Sequence, residues 1–504
     1  MRLLPKSRKH ASCCLQRFAD SGKDCGTCTL KDAGWDFFIA VRRSAASDPF
    51  FIGCHQHVTR HLFSWTPSEL VRLCRAFARS GSAASEELLR RVLWRVDRVL
   101  DHLSSNELVC LLEVFAARGL REHDPTRPDI FKAAAAPLTD ECSSGRISVV
   151  DVGKIATMYR QLNIREEALF VALAARIVGY LEETSRKQPR QEANAAMSVL
   201  MACGRLNLVT GYEQRLLELL GPIMRASNDL RHMAALAQLA AKFGQADHAE
   251  VGRVWSQVHT ALEASALTGH ITPASSRTSG WSSQVVLGQL ILAVIFDAQP
   301  NTVRDSALVS AVRAAHLSFG QSPAAIDERL TRQLQVAELA CRLERPSALE
   351  LLDISGLLPF LRQLKEIDHG ELPLPKCSSQ QHLQVSSALQ ELGVAHKMEE
   401  KVAPYIADVR IRRRHTLIEI DGPLHFIGQS GKYDLKSSLK HRLLTKLGWQ
   451  VHHIAWYDWP TQYQSRLNFV ARLLRSTPPE VNMREYRPAA VALPQRTDQQ
   501  DSLA

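Results

Sequence analysis

Between Trp65 and about Leu262 the apolar residues return at intervals of three and four, almost without strict alternation, and the helices this demands resemble one another. Ser68-Glu69-Leu70 leading to Ala76-Phe77-Ala78-Arg79-Ser80-Gly81 recurs as Asn106-Glu107-Leu108 leading to Val114-Phe115-Ala116-Ala117-Arg118-Gly119. Further copies run from Val152 to Tyr159-Arg160-Gln161-Leu162-Asn163, from Ala195 to Cys203-Gly204-Arg205-Leu206-Asn207, and through Leu236 to Phe243 and Gly244. Each reads as a helix, a turn at Gly or Asn, and a second helix such as Ser85 to Val99 or Tyr212 to Met224. One helix pair cannot bury its own apolar face, so the pattern predicts stacked pairs with a long concave surface for an extended ligand. An ordinary helical domain of similar helices is the alternative.

The repeats are expected over residues 35–264, a Ser-, Thr- and Gly-rich linker over 265–283, and further helices over 284–366. Residues 1–34 begin with Arg2, Lys6, Arg8, Lys9 and Arg17 and have no acid before Asp20. That composition fits a mitochondrial transit peptide or an ordinary basic disordered terminus. The tail at 477–504 reads as disordered. Most of the 11 cysteines stand singly in helical patterns, which suggests a reducing compartment. Cys25-Gly26-Thr27-Cys28 has the spacing of half a zinc site, with Cys13 and Cys14 nearby, but an adjacent cysteine pair chelates poorly. The most apolar run, Val285 to Phe296, is too short to span a bilayer. A net charge of +10 favours a polyanion, without choosing among RNA, DNA and acidic lipid.

Beyond about Ser378 the pattern changes. A helix carrying Leu383, Val385, Leu389 and Leu392 precedes Tyr405–Ile411, which alternates as a strand. Arg412 to His415 form a basic turn, and Thr416–Ile420 is a second strand ending at Asp421-Gly422-Pro423. A helix from Asp434 to Leu447, stopped by Gly448, leads to a third strand at Gln450–Trp456. The expected fold class is therefore mostly α, a helix-pair solenoid followed by a small α/β domain over 378–475 with its core at 416–473.

Leu417-Ile-Glu-Ile-Asp-Gly-Pro-Leu-His-Phe426, then Leu435-Lys436, Leu439-Lys440-His-Arg442, Leu447-Gly-Trp-Gln-Val451 and Trp456-Tyr-Asp-Trp459 resemble the RAP domain signature. The resemblance implies a fold like that of the PD-(D/E)XK nucleases. It also implies a role like that of the FAST kinase-like proteins and other helical-repeat RAP proteins of organelles, in RNA stability, processing or rRNA maturation. The implied partners are organellar mRNA or rRNA, and a mitochondrial ribosome or other RNA-processing proteins; the implied address is the mitochondrion, with the plastid as alternative.

Three chemistries stay open. Asp408, Glu419 and Asp421 form an acidic set, the last two on one face of a strand, that would hold Mg²⁺ for phosphodiester cleavage with His425 moving a proton. Asp421 stands where the nuclease pattern has lysine, which weakens that reading and leaves Lys436 or Lys440 to supply the charge. No cofactor is expected otherwise. The second chemistry is RNA binding through Arg410, Arg412, Arg413, Arg414, Lys432, Lys436, Lys440, Arg442 and Lys446, with Trp459 expected to be the most exposed of the stacking aromatics Trp449, Trp456, Tyr457 and Trp459. The third is a protein-binding scaffold, because a solenoid groove does not by itself choose its ligand.

Overall fold

The structure, a computed structural model, describes residues 65–78, 83–96, 100–120, 129–183, 190–227, 229–268, 283–297, 299–320, 322–367, 379–412, 414–428 and 430–476. The transit-peptide segment, Cys13, Cys14, Cys25, Cys28, Arg413 and the tail lie outside the described residues, as does most of the linker. The described residues divide between Leu206 and Asn207 into two compact units. No helix among them is long and apolar enough to cross a membrane.

The first unit contains α1 (Pro67–Phe77), α2 (Ala83–Val96), α3 (Ser105–Ala117), α4 (Ile130–Ser143), α5 (Val149–Leu162), α6 (Glu167–Glu183) and α7 (Arg190–Leu206). The odd-numbered helices stack each on the next, and α4 packs on α6 behind them. Starts and stops are chemically marked. Thr66 with Glu69, and Ser104 with Glu107, form capping boxes on α1 and α3, each satisfying backbone N–H groups that the first turn leaves unpaired. Gly119 closes α3 at φ 65° and Asn163 closes α5 at φ 57°. Left-handed backbone costs most residues roughly 1–2 kcal/mol, and Gly and Asn are the types that tolerate it. Asn207 (φ 54°) follows α7, and Gly244 (φ 69°) ends the corresponding helix of the second unit. These are the turn residues that the sequence copies share, so the repeats were visible through their stops as much as through their apolar faces.

In the second unit α8 (Glu213–Ser227), α10 (Ala249–Thr268), α12 (Thr302–Phe319) and α14 (Pro346–Ile354) form one row. A second row comprises α9 (Leu230–Lys242), α11 (Ser283–Ile295), α13 (Glu328–Glu344) and α15 (Leu358–Glu366). The α/β part follows as α16 (Gln380–Glu391), β1 (His396–Val402), β2 (Tyr405–Ile411), β3 (Thr416–Asp421), α17 (Leu435–Lys446), β4 (Gln450–Ala455) and α18 (Tyr463–Leu473). The sheet runs β1-β2-β3-β4, antiparallel until the parallel β3–β4 pair that α17 connects. Strand β1 is absent from the sequence expectation. His396-Lys-Met-Glu-Glu-Lys-Val402 carries charge at most positions because it is an edge strand, where charge discourages further pairing.

Two apolar layers hold the sheet. Val385 and Leu389 of α16, with Leu467 and Val470 of α18, cover Val409, Ile418, Ile420 and Ile454 on one face. Leu444 of α17 covers Ala407, Leu417 and Val451 on the other. The outer side of α17 is then fixed to the helical rows by Arg442. Its guanidinium makes a two-pronged pair with the buried Glu344 at the end of α13, at 2.7 and 2.9 Å, and donates to the Ile295 carbonyl at 3.1 Å. Arg345 donates to Val294 O at 2.8 Å and Asp297 O at 2.6 Å while pairing with the buried Asp305. Two arginines thus satisfy the terminal carbonyls of α11, where the helix dipole also favours positive charge.

Two outcomes follow. A Cβ on Gly153 in α5 would lie 2.8 Å from Ala195 Cα in α7, whereas one on Gly179 in α6 would meet nothing within 4 Å. Gly153→Ala therefore lowers the thermal midpoint by pushing backbone apart, and Gly179→Ala raises stability by about 0.5–1 kcal/mol through helix propensity; equal responses would contradict the packing. Arg442→Met leaves the buried Glu344 carboxylate with the Lys446 ammonium at 3.5 Å in place of a two-pronged partner and costs about 3 kcal/mol in denaturant unfolding, most of it recovered when Glu344→Met is added.

Candidate nucleic-acid interface

The β2–β3 ladder pairs Val409–Ile411 with Thr416–Ile418 and goes no further. Beyond it the Asp408 carboxylate, rather than a backbone carbonyl, accepts the Ile420 N–H at 2.7 Å. Lys440 of α17 reaches into this opening, donating to the Ile406 carbonyl at 2.7 Å and to the Glu419 carboxylate. Glu419 and Asp421, two apart on β3, both face α17, as their spacing requires. The result is a cleft of about 210 Å³ lined by Glu419, Asp421, His425, Lys440, His441 and His453 among others.

A hydrogen-bonded chain crosses the cleft. Asp421, 2% exposed, accepts from His453 Nδ1 at 2.6 Å and from the Tyr433 hydroxyl at 3.1 Å. His453 Nε2 lies 2.9 Å from His441 Nδ1. The exposed His425 has Nδ1 2.9 Å from Ser437 Oγ and 3.4 Å from Asp421 Oδ1. Asp434, the N-cap of α17, accepts the Ser437 N–H at 2.8 Å and so fixes the helix end that carries Lys436, Ser437, Lys440 and His441.

Burial dominates the electrostatics. It pushes the Glu419 carboxyl up to about 7 although Lys440 pulls the other way, and the neighbouring Asp408 and Asp421 charges push with it. Burial also lowers His441 to about 4, helped by repulsion from His453 and opposed by Asp421, so His441 is neutral at physiological pH. Asp408 differs. Burial raises it, but the His382 hydrogen bond, the Lys440 charge and the Ile420 N–H together hold it below the usual carboxylate range.

A ladder of rings leads out of the cleft: His453 to Tyr433 at 4.9 Å between centroids, Tyr433 to Phe426 at 4.8 Å, and Phe426 to Tyr457 at 5.5 Å. At its end Trp456 and Tyr457, just past β4, are 51% and 53% exposed. The RAP domain model matches residues 418–473, the segment that carries the cleft and these aromatics. This chain is a RAP domain-containing protein. No curated protein matches it. The RAP match implies a nucleic-acid-binding role.

The RAP domain gathers some of the expected residues and separates others. Glu419, Asp421, His425, Lys436 and Lys440 share the cleft, with Asp408 beside it. Exposed Lys432 lies on the segment before α17. Arg410, Arg412 and Arg414 stand at the opposite end of β3, where Arg410 lies over Trp449 at 5.3 Å and His415 stacks on the same ring at 4.1 Å. Arg442 is engaged by Glu344, and the Lys446 ammonium is 3.5 Å from the same carboxylate. Trp459 is half-buried, not the most exposed aromatic: its indole N–H donates to Gln384 at 2.8 Å and its ring meets Phe469. His441, His453 and Tyr433 were missed. Register shows why: His453 pairs with Glu419 across the parallel ladder, so it shares the acidic face only once β4 is placed beside β3.

The acids do not fit Mg²⁺ as they stand. The Asp408 oxygen nearest β3 is engaged by Ile420, Asp421 is engaged by His453 and Tyr433, and the Lys440 ammonium lies between Glu419 and the Ile406 carbonyl, where a metal would need to be. Among the described residues no group of three or more His, Cys, Asp or Glu side chains is arranged to hold a metal ion. In the first unit, a groove of about 590 Å³ is lined by Lys154, Thr157, Gln161, Gln191, Asn194 and Ser198 among others.

The raised Glu419 has a sign that can be tested. Its folded form binds a proton more tightly than the unfolded chain, so its contribution is fully present below the ordinary carboxyl value of 4.5 and is lost as pH rises through about 7. Wild-type stability should fall between pH 5 and 8 by on the order of 1–3 kcal/mol relative to Glu419→Gln, measured by urea unfolding at each pH. Parallel profiles would contradict the burial argument.

Proposed function

We propose that the protein binds single-stranded RNA, with unpaired bases on the Trp456–Tyr457 platform and the adjoining phosphate at the Lys436–Lys440 edge of the cleft, and that it acts in mitochondrial RNA stability, processing or ribonucleoprotein assembly. The observation that carries this reading is the exposed aromatic pair joined by packed rings to a cleft bearing lysine and histidine. Duplex bases stay stacked on one another, so a side-on aromatic platform favours unpaired strands. The overall charge of +10 adds attraction to phosphate, and the amides along the groove of the first unit have donors and acceptors suited to base edges. The mitochondrial address rests on the basic, acid-free start of the chain. Ribosomal or RNA-processing partners belong to the same reading.

Fluorescence anisotropy with single-stranded RNA tests the binding. Trp456→Ala and Tyr457→Ala should each weaken it by about 1–3 kcal/mol, with circular dichroism unchanged because both rings are half exposed. Wild-type affinity for both variants would sink the platform. In cells, crosslinking should recover a small set of organellar transcripts, and recovery of proteins without RNA would favour a scaffold.

A further inference from the structure

The cleft holds the parts of an acid–base device that needs no metal. Hydrogen bonding sets the proton positions: with Asp421 Oδ2 as acceptor, His453 donates from Nδ1, so its Nε2 accepts from His441 Nδ1. That leaves His441 Nε2 as a lone pair with no hydrogen-bond partner among the described residues. His425 sits over Ser437, four residues before His441 on α17. The α17 residue that His425 contacts and His441 itself are therefore one helical turn apart, about 5.4 Å along the axis, which sets the two imidazoles at successive turns beside the same cleft, where they can flank a phosphate. Lys436 and Lys440, also four apart, run beside them in the same cleft. Lys440 uses two N–H groups on Glu419 and Ile406, which leaves a third for a ligand.

We propose that this cleft cleaves RNA by metal-independent transphosphorylation, a step that rests on the RNA-binding reading above. His441 Nε2 removes the proton from a ribose 2′-hydroxyl as that oxygen bonds to the adjacent phosphorus. The phosphorus–5′-oxygen bond breaks, and protonated His425 gives its proton to the departing 5′ oxygen. The products are a 2′,3′-cyclic phosphate and a 5′-hydroxyl. As His441 gains the proton at Nε2 it passes its Nδ1 proton to His453 Nε2, and the new imidazolium rests against the Asp421 carboxylate. Asp421 and His453 are thus positioning residues, while Lys436 and Lys440 stabilise charge on the phosphorane oxygens. The low proton affinity of His441 taken alone explains why a relay is needed: the charge settles one ring further in, beside a carboxylate.

The experiment incubates the full-length protein with a random-sequence single-stranded RNA pool in excess EDTA, with end-group analysis of the products and a parallel binding assay. Cleavage that leaves cyclic phosphate and 5′-hydroxyl ends, fails on 2′-O-methyl RNA, and falls at least roughly 100-fold in both His425→Ala and His441→Ala supports the proposal. His425 is exposed, so its variant should fold, and the parallel assay separates any loss of binding from loss of cleavage. Asp421→Asn should shift the pH profile of the rate as well as lower it, which a merely structural role would not do. RNA that is bound but stays intact in EDTA overturns the cleavage and leaves the binding reading standing. Wild-type rates in both histidine variants also overturn it. Failure to bind the pool at all sinks both readings.

Discussion

The C-terminal end of α11 is the constraint on which the arrangement of the second unit rests. A buried helix end leaves carbonyls without partners, and here they are met by Arg345 from one helix junction and Arg442 from the α/β part. Arg442 also neutralises Glu344, a carboxylate that burial would otherwise penalise. The RAP domain is therefore held on the helical rows by its crossover helix, and the same helix turns Lys436, Ser437, Lys440 and His441 toward the acidic strand. One side of α17 docks and the other side builds the cleft. A charge that sequence alone offers to RNA is in fact what positions the site.

Inside the cleft, protein groups take the places a divalent ion would fill. Lys440 brings positive charge to Glu419, and histidines and a tyrosine engage Asp421. Two carboxylates on one face of a strand therefore do not imply metal chemistry, since what surrounds each carboxylate decides. The splitting of β2 from β3 at Asp408 opens the space, and a side chain standing in for a ladder carbonyl is what allows the strands to part.

Much of this was legible in the chain. Repeating apolar faces with Gly or Asn stops mark consecutive helices, because the left-handed turn restricts residue type locally. Glu419 and Asp421 on one face follow from the period of a strand. The rest depends on contacts distant in sequence. Nothing near Trp459 announces that Gln384 will hold its indole N–H, nor does anything near Arg442 announce Glu344. Strand β1 hides because edge strands are selected for charge rather than alternation, and His453 joins the acidic face only through a parallel register.

The central claim is that nucleic acid meets the protein at the end of β4 and the adjoining cleft. Photocrosslinking of the full-length protein to 4-thiouridine-containing single-stranded RNA, with the adducts mapped by mass spectrometry, tests it most directly. Adducts concentrated on Trp456, Tyr457 and the peptide carrying Lys436 to His441 are the predicted result. Adducts confined to other segments, or none above a no-protein control, would contradict it.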